Sequence, residues 1–153
     1  MTAEARLEDL GYGLVAPPPL GHYVRAVRTG NLVFTAGHGP FTADGETGMR
    51  GQVGGELTLA EGQEAARLCI VSCLASVRAE LGDLECVSRV VKMLAFVNCA
   101  PGFNSTSAVV DGASELLEDV FGDRGVHARA AIGTSVLPGN IPVEIEIVVE
   151  ARP

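Results

Sequence analysis

The segment VEIEIVVE, Val143 to Glu150, alternates apolar residues with acidic ones almost without a break. Successive side chains of a strand point to opposite faces, so Val143, Ile145, Ile147 and Val149 make one face and Glu144, Glu146, Val148 and Glu150 the other. A one-residue slip would exchange the two sets, so the strand needs a sheet with one face covered and its register held. The preceding residues, RAAIGTSVLPGN from Arg129 to Asn140, read as the first arm of a β-hairpin. Its Ile132, Thr134 and Val136 are assigned to the covered side, which leaves Arg129, Ala131, Gly133 and Ser135 on the far face with Glu144. On residues alone, Arg129 is a strand-end residue that pairs with Glu144 or Glu146 across the hairpin.

The cover is legible upstream. Thr58-Leu59-Ala60-Glu61 has the form of a capping box, in which Thr and Glu side chains satisfy free amides of a first helical turn. Ala66, Ile70, Cys73, Val77 and Leu81 then recur at helical spacing, and Gly82 supplies a left-handed stop. A second stripe, Val109, Ala113, Leu116 and Val120, closes at Phe121-Gly122. Between the stripes, CVSRVVKMLAFVN, residues 86–98, reads as a long strand with both sides largely apolar. Nearer the start, Tyr23–Val27 and Leu32–Ala36 form a hairpin around Thr29-Gly30-Asn31. The glycine-rich stretch Gly37–Gly55 reads as a loop, with a short edge strand at its end.

The order β-β-(β)-α-β-α-β-β predicts an α+β two-layer sandwich, one mixed sheet covered on one face by two helices. Residues 1–20 form a lead-in segment whose APPPLG stops any helix begun at TAEARLEDL, and residues 21–153 form a single domain. The apolar residues left on the far face predict a closed homo-oligomer.

Composition narrows the function. A formal net charge of −8 argues against nucleic acid as a partner, because phosphate binding needs clustered Lys and Arg. The N-terminus fits neither a signal peptide nor a membrane span, so we expect a cytoplasmic protein with no membrane partner. Cys69, Cys73, Cys86 and Cys99 lack metal-ligand spacing and are expected as free thiols, with Cys69 and Cys73 buried on a helix. His22, His38 and His127 are scattered, and no metal is expected.

Two stretches carry a resemblance. YVRAVRTGNLVFTAGHGP resembles the opening motif of the RidA/YjgF family of imine deaminases, and HARAAIGTSVLPGNIPVEIEIVVEA is similar to its closing signature. The long N-terminal lead and FVNCAPGF suggest a longer branch than the short deaminases. The resemblance implies a chorismate-mutase-like fold, a homotrimer, and a ligand cleft at each subunit interface. It implies a hydrolase that converts reactive 2-imino or enamine acids to keto acids without a cofactor. Arg129 then grips the carboxylate of a small ligand and Glu144 helps position the water. Tyr23 closes the cleft, Gly37 lets the backbone approach the ligand, and His38 and Ala131 line the site. Glu146 is read as structural.

Three residues depart from the family pattern. Ala130-Ala131 stands where the deaminases have Ser-Cys, which excludes a thiol there. His38 replaces a Gln, and His127 a common Pro; either histidine is read first as a loop or interface residue. The rival reading is a non-catalytic or regulatory trimer that binds small carboxylates. Ribonuclease activity, sometimes attached to the family, fits the acidic composition poorly.

Overall fold

The computed structural model describes residues 1–16, 18–42 and 44–153. Helix α1, Ala3–Asp9, is capped by Thr2, whose hydroxyl accepts from the Ala5 amide. Its Leu7 is fully buried in the main core, and the Tyr12 hydroxyl donates to Glu64 Oε1 at 3.0 Å. Residues 3–12 of the lead-in are therefore packed onto the helical layer.

Strands β1, Ala26–Thr29, and β2, Leu32–Thr35, turn at Gly30, whose φ of +57° suits glycine. Helix α2 spans Leu59–Leu81, with Thr58 accepting from the Glu61 amide and Gly82 at φ +85° closing it. Strand β3, Val87–Asn98, leads to α3, Thr106–Phe121, then to β4, Ala128–Thr134, and β5, Val143–Ala151. The expected edge strand at the end of the glycine-rich loop is reduced to isolated bridges from Val53 to Leu57 and Cys99.

The five strands lie in the order β1-β2-β5-β3-β4. All neighbours are antiparallel except β3 and β4, which are parallel. This corrects the hairpin expected from Arg129 to Ala151: β3 lies between β4 and β5, and the two arms never pair. After α3 the chain returns parallel to β3 on its outer side, then crosses the end of β3 through Leu137-Pro138-Gly139-Asn140 to reach the other flank. Gly139 and Asn140 both take positive φ to make that step.

Val143, Ile145, Ile147 and Val149 are buried beneath α2, as their alternation requires. The thiols of Cys69 and Cys73 donate to the Val143 and Ile145 carbonyls, both at 3.3 Å. Met93, Ala95 and Val97 of β3 pair with Ile147, Ile145 and Val143 and share their face. The two helices cross closely at Gly112, where a Cβ would stand 2.5 Å from the Gln63 carbonyl oxygen. Both helices sit on this one face of the mixed sheet. The other face leaves Val27, Phe34 and Ile132 substantially exposed.

The face assignment of β4 also needs correction. The register sets Arg129 beside Met93 and Ala131 beside Ala95, both on the helix side. Ile132, expected beneath the helices, is 45% exposed, and Val136 beyond the strand is 70% exposed. Parity counted through Leu-Pro-Gly-Asn carried no information, because no tight turn links the two strands.

Candidate functional site

The end of β2 runs on into a short bridge with β5. The His38 amide donates to the Ile145 carbonyl at 2.8 Å, and the Ile145 amide returns the bond to His38 at 3.0 Å. This pairing sends His38 to the helix side and Glu144 to the far side, with Gly37 against it. A Cβ on Gly37 would lie 2.9 Å from Glu144 Oε2, so the bare backbone makes room for the carboxylate. Around Glu144 opens a cavity of about 510 Å³ that Tyr23, Arg25, Phe41, Arg50 and Ile141 also line. Burial, and then the neighbouring charge of Glu146, raise the Glu144 pKa above the ordinary carboxylate value.

Tyr23 sits at the rim, its hydroxyl accepting from the Leu20 amide at 3.3 Å. Arg25 places its guanidinium over the Phe41 ring, 5.9 Å from the centroid. Arg50, from the glycine-rich loop, donates to the Gly139 carbonyl in the β4–β5 connection. Neither arginine was singled out in the sequence. Arg25 had a signal, since alternation from Tyr23 puts both on one side; Arg50, in an irregular loop, had none.

His38 does not present its side chain to this cavity. It is fully buried, with Nδ1 2.6 Å from the Ala36 carbonyl and Nε2 2.7 Å from Ser76 Oγ on α2. A carbonyl only accepts, so Nδ1 carries the proton and Nε2 accepts from the Ser76 hydroxyl. Burial drives the His38 pKa down to about 4. The imidazole is a neutral strut that fastens the Gly37–Gly39 segment to α2.

Arg129 and Ala131 lie apart from Glu144, on the opposite face of the sheet. Arg129 donates through Nη1 to Ser114 Oγ at 2.8 Å. Through Nη2 it reaches Asp111 Oδ1 and Ser107 Oγ, both at 2.8 Å. His127 Nδ1 donates to the Gly125 carbonyl, and its Nε2 accepts from the Ser114 hydroxyl at 3.0 Å. The guanidinium is thus set by three residues of α3. Ala131 packs against the main core, and its carbonyl accepts from Thr106 Oγ1. Of the expected residues, one chain brings together Glu144, Gly37 and Tyr23 and separates them from Arg129, Ala131 and the His38 ring.

Among the described residues no group of three or more His, Cys, Asp or Glu side chains is placed to hold a metal ion. Among the described residues no helix is long and apolar enough to cross a membrane.

The family model described as Endoribonuclease L-PSP matches residues 13–151. Protein TCP17 of Trypanosoma cruzi is 43% identical over 148 residues, covering 95% of this chain and 92% of that protein. A 2-iminobutanoate/2-iminopropanoate deaminase of Dermatophagoides farinae is 30% identical over 135 residues, covering 88% and 90%. Among solved structures, protein Atu1372 of Agrobacterium tumefaciens, of unknown function, superposes with a TM-score of 0.90 at 40% identity, covering 98% of this chain and 92% of that one.

Proposed function

The chain belongs to the RidA/YjgF family, whose model is the one described as Endoribonuclease L-PSP, and from that membership we propose that it hydrolyses small reactive 2-imino or enamine acids to 2-keto acids and ammonia. The observation that carries this reading is Glu144, a half-buried carboxylate of raised pKa at the wall of an open cavity. A carboxylate poised in this way accepts a proton from water more readily than an ordinary one. The named activity of the 30%-identical mite deaminase supports the same chemistry.

The working unit is a homotrimer, with the cleft completed by a neighbouring copy. Two features support assembly: the exposed apolar residues Val27, Phe34 and Ile132 on the uncovered sheet face, and the separation of Arg129 from Glu144 within one chain. The two meet only if Arg129 of one copy approaches the Glu144 cavity of another. Arg129 then anchors the substrate carboxylate with donors not committed to α3. Water adds its oxygen to the imine carbon as Glu144 takes one proton and delivers it to the nitrogen. Glu144 then takes the proton of the new hydroxyl and passes it to the amine nitrogen, the C=O bond forms as the C–N bond breaks, and ammonia leaves. Ala131 offers no thiol, so Glu144 carries the proton transfers alone.

The test is keto-acid release from an imine generated in place by an amino-acid oxidase. Acceleration over spontaneous hydrolysis is expected; none with any imine sinks the proposal. The ion pair of Arg129 with Asp111 favours one rival, a non-catalytic binder of small carboxylates. Keto-acid binding without turnover by any variant or condition supports that rival.

A further inference from the structure

The Glu144 cavity is lined by two arginines, Arg25 and Arg50, and by a second carboxylate, Glu46. Among the described residues the arginines are paired with neither acid and form no other ion pair. Glu144 does not absorb either charge: its pKa is raised by burial and by Glu146, with no cation pulling it down.

Both guanidiniums are held in place by groups that leave their charge unspent. Arg25 rests on Phe41 and donates through Nη2 to the Pro18 carbonyl, while its Nε is buried without a hydrogen-bond partner. Arg50 is braced against the Gly139 carbonyl, and the Gly51 amide donates to Asn140 in the same connection at 2.8 Å. A carbonyl neutralises no charge. A neighbouring copy that closes the cleft would strip water from two guanidiniums that neither Glu46 nor Glu144 pairs, one of which already buries an unpartnered Nε, and this is costly unless the ligand supplies an anion.

We propose that the cleft takes a 2-imino acid with a second acidic group on its side chain, whose distal carboxylate is held by Arg25 and Arg50. This rests on the proposed function above for the imine and for the neighbouring copy that closes the cleft, whereas the unpaired arginines are read from the cavity itself. In this arrangement Arg129 of the neighbouring copy takes the carboxylate beside the imine, Glu144 serves the reacting carbon, and Arg25 and Arg50 set specificity. A site built to pair a charged group rejects the analogue that lacks it, because its own polar groups are then left unpaired.

Calorimetry with two five-carbon keto acids, 2-oxoglutarate and 2-oxopentanoate, tests the charge requirement without turnover. The native protein is expected to bind the dicarboxylate at least about tenfold more tightly, a preference that shrinks as salt is raised. In the R25Q/R50Q double variant the two affinities should fall within about twofold of each other, and R25K should keep part of the preference. Equal affinities in the native protein overturn the proposal, as does a preference that survives in the folded double variant. The matching oxidase-generated imines are assayed in parallel. A dicarboxylate preference with no imine hydrolysed refutes the deaminase reading and supports this one.

Discussion

Gly37, just beyond β2, faces Glu144 of β5 so closely that a methyl group on Gly37 would lie 2.9 Å from Glu144 Oε2 and 3.0 Å from Cδ. The glycine belongs to the segment that the buried His38 pins to α2, and the glutamate to the strand whose alternation organises the sheet. A backbone feature and a titrating side chain are thereby coupled without a hydrogen bond between them.

Gly37→Ala tests that coupling. The added methyl must push the Glu144 carboxylate out of its place, and displacement of a positioned proton acceptor by about 1 Å costs on the order of 10²-fold in rate. The expected outcome is a large fall in kcat for imine hydrolysis with a melting temperature within a few degrees of native. Unchanged kcat would detach Glu144 from the chemistry.

Glu144 should shape the acid limb of the pH–rate profile. Its folded pKa is raised above the usual 4.5, so activity should decline on acidification at a pH above the ordinary carboxylate value. Glu144→Gln should remove that limb and cost about 10² to 10⁴ in kcat. The sign for stability is the reverse of a salt-bridged acid. The folded state holds the proton more tightly than the unfolded one, so stability falls as pH rises from 4.5 through the folded pKa. The variant should therefore be the less pH-sensitive protein in that window, by urea denaturation.

His38 gives stability the opposite slope. Its pKa drops from 6.5 to about 4 on folding, so the unfolded chain binds the proton more strongly between those values. Stability is full above pH 6.5 and lost as pH falls toward 4, by on the order of 3 kcal/mol at the limit. His38→Gln should flatten this dependence when urea midpoints are compared from pH 4 to 7. An unaltered slope would assign the acid sensitivity elsewhere.

Phe34 and Ile132 stand 43% and 45% exposed on the uncovered sheet face. Phe34→Glu should convert the proposed trimer into monomers, as read by light scattering, and abolish turnover although Glu144 is untouched. A monomeric native protein at micromolar concentration would refute the assembly.

Gly112→Ala should destabilise the fold by about 1–3 kcal/mol, because its methyl group meets the Gln63 backbone, which cannot move without separating the helices. Thermal unfolding checks this independently of any activity.

Local physics was readable in the chain. Alternation from Val143 to Val149 assigned those residues to the core, the Thr58 cap and the Gly82 stop located α2, and the apolar spacing from Val109 to Val120 marked the buried side of α3. These assignments depend on neighbours within one turn or one strand, where backbone geometry dictates which side chains share a face. The Tyr23 and Glu144 motifs carried the family resemblance for the same reason: both are short stretches of adjacent residues.

The face of Arg129 was decided elsewhere. Within a strand the period of two is strict, but the sequence contains no ruler that relates the parity of one strand to that of another across an irregular connection. Pairing sets that relation, and β4 pairs with β3 rather than with β5. Arg129 therefore turns to α3, where Ser107, Asp111 and Ser114 receive it. Arg25 and Arg50, twenty-five residues apart with the β1–β2 hairpin and part of the glycine-rich loop between them, converge on one cavity only because the loop folds back against Gly139. The sequence by itself determined the elements and the buried faces of α2, α3 and β5, which are local consequences of backbone geometry. Only the tertiary structure decided which charges share the cavity, because that rests on strand order and loop closure between residues distant along the chain.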